Sequence, residues 1–546
     1  MGLFIRKPFE ALQAEANASG KKTLKRVLGP WSLVALGVGV IIGAGLFSIT
    51  GTVAAGYTGP AITLSFAIAA LGCCFAGLCY AEFASMIPVA GSAYTYSYAT
   101  MGELIAWIIG WDLVLEYTVA ATTVSISWSR YLVVFLEGLD IHLPQALTAC
   151  PWDGGVVNIP AFLIVVLMSL FLIRGTEGSS IFNGFIVFLK VSVILIFVIL
   201  GWKYINTDNY TPYIPANKGV LGEYGFSGIL RGAAIVFFAF LGFDAVSTAA
   251  QETKNPKRNM PIGILVSLLV CTVLYMVFAH VMTGVAHYTA FSGQQGIAPV
   301  AIAIEHMGQA DAAGIIQPDY PWLNRAIVLS ILFGYCSVIM VTLLGQSRVF
   351  LSMSHDGLLP PFFSHINEKF RTPARSNLLF MVLVGLLAAF VPARLAGEMT
   401  SIGTLMAFTL VCAAVLVVRR TMPDVPRSFK TPLVPLIPIL GILTCLCMML
   451  FLPADTWIRL VLWMLIGLDI YVGYGMKHSK LEHGGDTRHG QVTLNMIGLI
   501  LAVLCVITGL WHQQTVGWGE SKVLLIISFV FAFTHCAYYM WRIWRR

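Results

Sequence analysis

Apolar runs of about 20 residues recur along nearly the whole chain, with short polar stretches between them. Because a helix rises about 1.5 Å per residue, each run is long enough to cross the roughly 30 Å hydrocarbon core of a bilayer. Hydrophobic residues make up 58% of the sequence and charged residues only 11%, whereas soluble domains carry about 25% charged residues. The pattern predicts an all-α polytopic membrane protein and excludes a soluble domain.

The apolar runs divide the chain into about 14 predicted spans. Their residues are 31–56, 61–87, 102–133, 157–174, 181–204, 227–250, 262–287, 326–353, 377–393, 398–418, 434–452, 457–476, 491–511 and 522–543. With a cytoplasmic amino terminus, roughly 24 of the 33 Lys and Arg residues lie in cytoplasmic segments, as the positive-inside rule requires. We therefore expect a multi-pass protein of the plasma membrane, or of the inner membrane in a bacterium, with both termini in the cytoplasm. The same distribution accounts for the net charge of +7 without a nucleic-acid partner.

Cysteine usage gives no indication of a metal site or a cofactor. Most of the 11 cysteines fall inside predicted spans, and neither a CxxC motif nor a zinc-type His/Cys spacing is present, so buried cysteine is expected to act as a small apolar residue. Cys150 alone lies in a predicted outer loop, where it has no second cysteine to form a disulfide with. We do not expect a partner subunit attached through it.

The first predicted span, Trp31–Gly56, has glycines near its middle, Gly43 and Gly45. Glycine costs a helix interior about 1 kcal/mol relative to alanine. Close packing against another helix is one explanation, because small residues let helix backbones approach. The other is a helix that unwinds at Gly43-Ala44-Gly45 and offers backbone groups to a ligand. Unwound backbone at that depth is tolerated only where protein buries it or where it lines a cavity.

The sixth predicted span repeats this feature. Gly242 and Asp244 interrupt a phenylalanine-rich run, and the residues that follow are small or polar, which predicts a half-helix, a loop and a second half-helix. Interruptions at corresponding positions of the first and sixth spans indicate a midplane binding site between inverted repeats. Helix amino termini suit a carboxylate and exposed carbonyls suit an ammonium. An amino acid carries both groups.

Asp112, Glu116 and Lys190 are ionisable residues inside predicted spans. Such groups are costly in a bilayer and are functional candidates by default. Asp112 and Glu116 share one helix face; for Asp112 we favour a capped or paired structural carboxylate, and for Glu116 a structural and a functional role both stay open. Lys190 suits a proton carrier, because a desolvated lysine titrates readily. The alternative is a static ion pair with an acid such as Glu116.

Two connections carry local patterns. Between the second and third spans, GSAYTYSYATMG places Ser, Thr or Tyr at every second residue, which predicts a polar, amphipathic connection at the cytoplasmic face. Between the seventh and eighth spans, APVAIAIEHMG predicts a short amphipathic helix on the outer side.

Three motifs together resemble the amino acid–polyamine–organocation superfamily. They are IIGAGLF in the first span, FFAFLGFDAVSTAAQETKNPKRNMPIGI in the sixth and SRVFLSMSHDGLLP after the eighth. More narrowly, the chain resembles the cationic amino acid transporter family and its bacterial proton-coupled relatives over about residues 25 to 420. The resemblance implies a LeuT-type fold. Residues 1–30 would be a cytoplasmic segment, 31–420 a transport core of five-plus-five inverted repeats, and 421–546 four peripheral spans with a short tail.

The resemblance also implies which backbone groups hold the substrate. The amides that would bind its carboxylate are those of Gly43, Ala44 and Gly45. The carbonyls that would bind its amine are those of Ile41, Phe238, Ala239 and Leu241. Because alanine stands in the middle of the glycine motif, a side-chain hydrogen bond to the carboxylate is absent.

The same resemblance assigns four side-chain positions. Phe238 would be the aromatic gate over the substrate, and Glu116 and Ala120 would face the site from the third span. Lys190 matches the fifth-span lysine of proton-coupled members, whose ammonium stands where sodium-coupled relatives hold their second sodium ion.

These observations predict a carrier that imports amino acids by proton symport, with amino acid, protons and the lipid bilayer as its partners. An obligate exchanger using the same site, in which Lys190 does not titrate, is the nearest alternative. A non-transporting amino acid sensor would need a sizeable cytoplasmic output domain, and the sequence contains none. No nucleophile–base or metal-ligand pattern stands out in the spans, so an enzyme is not expected. Both cationic and small neutral amino acids remain open as substrates.

Overall fold

The structure of the protein is a computed structural model that describes most of the chain. The described residues are 2–12, 26, 28–43, 45–89, 91–174, 177–292, 299–310, 316–368, 370, 372–481, 487–516 and 522–544. The longest α-helices, labelled α1 to α14 in chain order, are Pro30–Ile41, Ile62–Met86, Glu103–Glu137, Ile159–Arg174, Glu177–Gly201, Gly225–Val236, Pro256–Val285, Pro321–His355, Ala374–Phe390, Ala393–Thr421, Leu436–Leu450, Ala454–Ile470, Thr487–Val516 and Lys522–Trp544.

Short elements connect or extend these helices. Short α-helices are Thr50–Val53, Ala93–Thr100, Gln145–Thr148, Ala245–Thr248, Pro299–Glu305 and Met476–His478. Turns of 3-10 helix are Gly2–Phe4, Gly59–Ala61, Pro151–Asp153, Trp202–Tyr204, Thr207–Tyr210, Phe237–Phe240, Ala250–Glu252, Tyr288–Phe291 and Pro361–Ser364. Turns of π-helix are Gly45–Ile49, Ala54–Thr58 and Tyr471–Gly475. Strands β1, Gly308–Ala310, and β2, Ile316–Pro318, form an antiparallel pair that the sequence analysis did not predict.

Within the described residues, nine helical segments are long and apolar enough to cross a membrane. They are Pro30–Met86, Glu103–Glu137, Asn183–Tyr204, Gly225–Thr248, Pro256–Val285, Pro321–His355, Ser401–Thr421, Ala454–His478 and Val492–Gln514. Three shorter apolar helices, α4, α9 and α11, accompany them. The protein is therefore a multi-pass membrane protein built from helices.

The third helix lies at the centre of the packing. In α3, 89% of the most apolar stretch is buried inside the protein. The corresponding share is 33% for Asn183–Tyr204, the segment that overlaps α5. The helix α3 packs along α8 and α10, while α7 packs against α1 and α2. A separate hairpin of α13 and α14 packs on α12. This arrangement encloses the polar groups of α3 and leaves much of α5 facing lipid.

The GSAYTYSYATMG connection, predicted to be polar and amphipathic, contains a helix that is buried on all sides, so the amphipathic part of the prediction is wrong. All residues of Ala93–Thr100 are buried. The Tyr94 hydroxyl donates to Asp356 Oδ2 over 2.8 Å and the Tyr98 hydroxyl donates to Glu103 Oε2 over 2.8 Å. Since these carboxylates satisfy the hydroxyls, the tyrosine rings can be buried at low cost.

The short amphipathic helix predicted between the seventh and eighth spans corresponds to Pro299–Glu305.

Residues that precede α1 make two backbone connections to distant parts of the chain. The Glu103 amide donates to the Ile5 carbonyl over 3.1 Å, beside an ion pair of 2.8 Å between Lys7 Nζ and Asp356 Oδ1. Leu28 pairs with the segment after the sixth span: its amide donates to the Glu252 carbonyl over 3.0 Å, and its carbonyl accepts from the Lys254 amide over 2.8 Å. The start of α1 is therefore fixed to the end of the sixth span.

Cys150 lies in the connection between α3 and α4. Only 3% of it is exposed, and burial raises the pKa of its thiol. A buried, protonated thiol is a poor nucleophile for disulfide exchange. This geometry does not favour a covalent link to a partner through Cys150.

A buried carboxylate joins α2 to the connection between α10 and α11. Glu82 Oε2 accepts hydrogen bonds from Arg419 Nη2 over 2.9 Å and from the Thr431 amide over 2.8 Å. Arg427 Nε lies 3.2 Å from Glu82 Oε1, and both side chains are almost fully buried. Because removing one partner of a buried ion pair leaves the other uncompensated, this cluster is expected to be important for stability.

Glu82→Gln keeps the side-chain volume and removes the charge that Arg427 faces. We expect the free energy of unfolding to fall by about 3–5 kcal/mol, measured as a lower melting temperature of the purified protein in detergent. Glu137→Gln, at an exposed position of α3, is the matched control and should melt like the wild type. Equal melting temperatures for the two variants would contradict a stabilising role for Glu82.

Candidate functional site

The first apolar span is interrupted near its middle. Helix α1 ends at Ile41, and Ile42 has an extended backbone with φ −75° and ψ 100°. Helical structure begins again at Gly45, where the amides of Leu46 and Phe47 donate to the Gly43 carbonyl over 3.2 and 3.3 Å. Ala44 lies outside the described residues. Because the Leu46 and Phe47 amides are taken up by the Gly43 carbonyl, the described amides left for an anion at this helix start are those of Gly43 and Gly45.

The second interruption follows α6. A 3-10 turn, Phe237–Phe240, leads into a turn in which Gly242 has φ +102°, and helical structure resumes at Ala245–Thr248. Only glycine adopts such a backbone conformation without strain. A Cβ atom on Gly242 would also overlap the side chain of Val40 in α1.

The two interruptions pack directly on each other. A Cβ atom on Gly45 would overlap the backbone of Ala239. Glycine at this position therefore lets the backbones of the first and sixth spans touch, which explains the glycine by packing as well as by unwinding. Close packing accounts for Gly45, and the end of α1 at Ile41 agrees with the predicted unwinding. That the unwound groups bind a ligand stays a prediction.

A tyrosine from α7 bridges the interruptions. The Tyr275 hydroxyl lies 2.6 Å from the Ile41 carbonyl oxygen and 2.8 Å from the Ala239 carbonyl oxygen. The hydroxyl has one proton to donate, so at any moment only one of the two carbonyls receives it. Each carbonyl oxygen also has a second lone pair, so the three oxygens can accept further hydrogen bonds. The sequence analysis did not identify Tyr275; the available signal was a tyrosine inside an apolar helix, whose hydroxyl must find a partner when buried.

A cavity of about 20 Å³ lies between the interruptions and helices α3 and α8. Seven predicted site residues line it: Ile41, Gly43, Gly45, Glu116, Ala120, Phe238 and Leu241. Ala239 is not among the described residues that line it, and its carbonyl contacts Tyr275 instead. Val124 and Val338, which the sequence analysis did not assign, also line the cavity, as does Thr342 of α8. A volume of this size has room for about one water molecule, so a larger ligand requires side chains such as Phe238 to move.

Lys190 in α5 is fully buried against the end of α1. Its Nζ donates to the carbonyls of Gly39 over 2.6 Å, Ile42 over 2.8 Å and Gly334 over 3.3 Å. A positive charge is favourable at a helix carboxyl terminus, where unpaired carbonyls carry partial negative charge. Within the described residues, the Lys190 hydrogen bonds go to carbonyls and not to Glu116, so the static ion pair is not the arrangement in this structure.

Glu116 of α3 lines the cavity, and Asp112 lies one turn before it on the same helix. Asp112 is fully buried, and neither of its carboxylate oxygens has a hydrogen-bond partner among the described residues. Within the described residues, the expectation that Asp112 is capped or paired is therefore wrong; the carboxylate packs against Gly403 of α10. Glu116 interacts with Thr404 of α10, and its Oε2 has no partner in the described part of the chain.

Comparison with known proteins agrees with this geometry. A family model described as "Amino acid permease" matches residues 28–468, a range that includes both interruptions. The chain is 46% identical to the branched-chain amino acid permease BcaP of Bacillus subtilis (strain 168) over 86% of this chain and 97% of that protein. It is 41% identical to the methylthioribose transporter of the same organism over 88% and 99% of the two chains. It is 36% identical to the vacuolar cationic amino acid transporter 4 of Arabidopsis thaliana over 75% and 66%.

Tyr275→Phe removes the hydroxyl that joins the two interruptions and leaves a buried carbonyl in each without it. The expected loss is about 1–3 kcal/mol, confined to this region. Hydrogen–deuterium exchange should become faster in peptides that cover residues 39–47 and 237–244. Tyr539→Phe in α14, which removes a hydroxyl bonded to Asp469, is the control and should leave those peptides unchanged. Unchanged exchange in Tyr275→Phe would contradict the bridging role.

Proposed function

The chain belongs to the amino acid permease family, and from this premise we propose that it imports amino acids across the plasma membrane by proton symport. The family and the relatives described above are permeases and transporters. One observation carries the proposal. The interrupted helices meet at backbone groups that lie outside regular helix, and the buried ammonium of Lys190 contacts the end of one of these helices. A substrate site and a titratable group thus share the end of α1.

The topology we propose has fourteen spans, α1 to α14, with α1–α5 and α6–α10 as inverted repeats. Two features support it. The segment Pro30–Met86 contains 57 residues, whereas one crossing needs about 20, so it accommodates two spans. The interruptions follow α1 and α6, the helices that begin the two proposed repeats. An even number of spans leaves both termini on one side, which the distribution of basic residues assigns to the cytoplasm.

In the proposed complex, the substrate lies across the two interruptions. Its carboxylate accepts hydrogen bonds from the amides of Gly43, Ala44 and Gly45, at the start of a half-helix. Its ammonium donates to the oxygens around Tyr275, which can accept further hydrogen bonds. Phe238 closes over it. The pose requires the small cavity to enlarge, which fits a carrier that alternates between open and closed states.

We propose branched-chain aliphatic amino acids as the substrates. Ala120, Val124, Leu241 and Val338 give the cavity an apolar lining, and the BcaP relative is named for this substrate class. Glu116 lines the cavity, and its Oε2 has no partner among the described residues; this carboxylate would instead favour a cationic side chain.

The substrate class is tested by competition in proteoliposomes. Uptake of labelled leucine should be inhibited by isoleucine and valine and not by lysine, arginine or methylthioribose. Inhibition by lysine and arginine would assign the pocket to cationic substrates. Inhibition by methylthioribose alone would give the chain the substrate of its second relative.

Gly45→Ala should weaken binding, because the added Cβ overlaps the Ala239 backbone and pushes the interruptions apart. Overpacking of this kind costs about 1–3 kcal/mol, which weakens binding roughly 10- to 100-fold. Gly56→Ala is the matched control, since a Cβ there meets no atom within 4 Å. Leucine affinity is measured by ligand-induced thermal shift. Equal affinity in both variants would contradict a site at the interruptions.

Lys190→Met tests the coupling to protons. Methionine keeps an apolar stem and removes the ammonium that contacts three carbonyls, so uptake driven by a pH gradient should fall to background while leucine counterflow persists. Accumulation at the wild-type level in Lys190→Met would contradict the coupling role. If the wild type itself exchanges leucine and ignores the pH gradient, the protein is the obligate exchanger.

A further inference from the structure

The first turns of α7 change character along one face. Lys257 and Arg258 lie in the first turn and are exposed. Ile262, one turn later, and Leu265 and Val266, two turns later, lie below them on the same face because their spacing is three to four residues. The face thus passes from two positive charges to apolar side chains over about 14 Å of helix.

This face forms one wall of a groove with a volume of about 560 Å³. The opposite wall is Phe429, in the connection between α10 and α11. The Phe429 amide donates to Ser85 Oγ over 3.3 Å, and the Glu82 cluster fixes the same connection to α2. The groove therefore has a rigid second wall that does not belong to α7.

The charged end of the groove has no counter-charge in the described part of the chain. Neither Lys257 nor Arg258 forms an ion pair with another described residue, and the first turn of α7 contains no acid. Two cations beside a helix amino terminus repel its partial positive charge. An anion at this position would relieve that repulsion.

The apolar end of the groove opens towards lipid. Further along the same face of α7, Leu269 is 65% exposed and Val273 is 55% exposed. In a membrane protein such side chains contact acyl chains. A ligand that enters from this side has an anionic head and an apolar tail, and it comes from the bilayer.

We propose that this groove binds one anionic phospholipid of the cytoplasmic leaflet. Its phosphate lies between Lys257 and Arg258, and one acyl chain lies along Ile262, Leu265 and Val266 against Phe429. The anionic surface of that leaflet attracts basic residues next to membrane spans. The choice of the cytoplasmic leaflet rests on the orientation given under the proposed function. The argument from charge complementarity does not depend on that orientation. Bound there, the lipid joins the start of α7 to the connection between α10 and α11.

Native mass spectrometry of the detergent-purified protein tests the site. The protein is titrated with phosphatidylglycerol and, separately, with phosphatidylcholine of identical chains. We expect the wild type to bind one phosphatidylglycerol in preference to phosphatidylcholine. Lys257→Gln/Arg258→Gln should weaken this binding roughly 30-fold, the combined effect of two charges at a membrane surface. Lys477→Gln/Lys480→Gln, also at exposed basic residues, is the charge-matched control and should bind as the wild type does.

A second variant and a competitor complete the test. Leu265→Trp fills the apolar end without changing the charge, and it should also weaken phosphatidylglycerol binding. Displacement of the lipid by millimolar inorganic phosphate would reassign the charged end to free phosphate and overturn the proposal. Equal loss in the control pair, equal affinity for both lipids, or unchanged binding in Leu265→Trp would overturn it as well. Because binding is measured without transport, failure of the proposed substrate leaves these outcomes unaffected.

Discussion

A helix that ends inside a bilayer leaves carbonyl groups that no water can satisfy, so the protein itself must supply the donors. In this structure two side chains from other helices do so for α1. Lys190 donates to the carbonyls of Gly39 and Ile42, and the Tyr275 hydroxyl contacts the carbonyl of Ile41. The interruption after α1 therefore depends on α5 and α7, and the position of the proposed binding site depends on those two contacts.

The size of the cavity follows from the same contacts. Glycines at positions 45 and 242 let the two interrupted spans approach until they are in direct contact. This leaves room for little more than a water molecule. An amino acid can enter only if the half-helices separate or Phe238 moves. The proposed site is closed while the donors on α5 and α7 bond to the end of α1. It enlarges when the half-helices separate, so substrate entry would be coupled to these donors.

Sequence patterns located the polar features of the spans better than they located the partners of those features. The glycines near residues 43 and 242 indicated where the helices stop, since glycine is costly in a helix interior. The contacts of Lys190 with carbonyls, and the absence of a described partner for Asp112, depend on how distant helices are rotated against each other. Tyr275 was missed for the same reason: a tyrosine in an apolar run looks alike whether its hydroxyl reaches a backbone carbonyl or the membrane surface.

The backbone pairing of Leu28 with the segment around Thr253 has a mechanical consequence. It joins the start of the first span to the end of the sixth span at one point. Neither of these two ends can move away from the other without breaking main-chain hydrogen bonds that no side-chain rearrangement replaces. The two ends therefore move together, and the bonds that couple them lie outside the cavity.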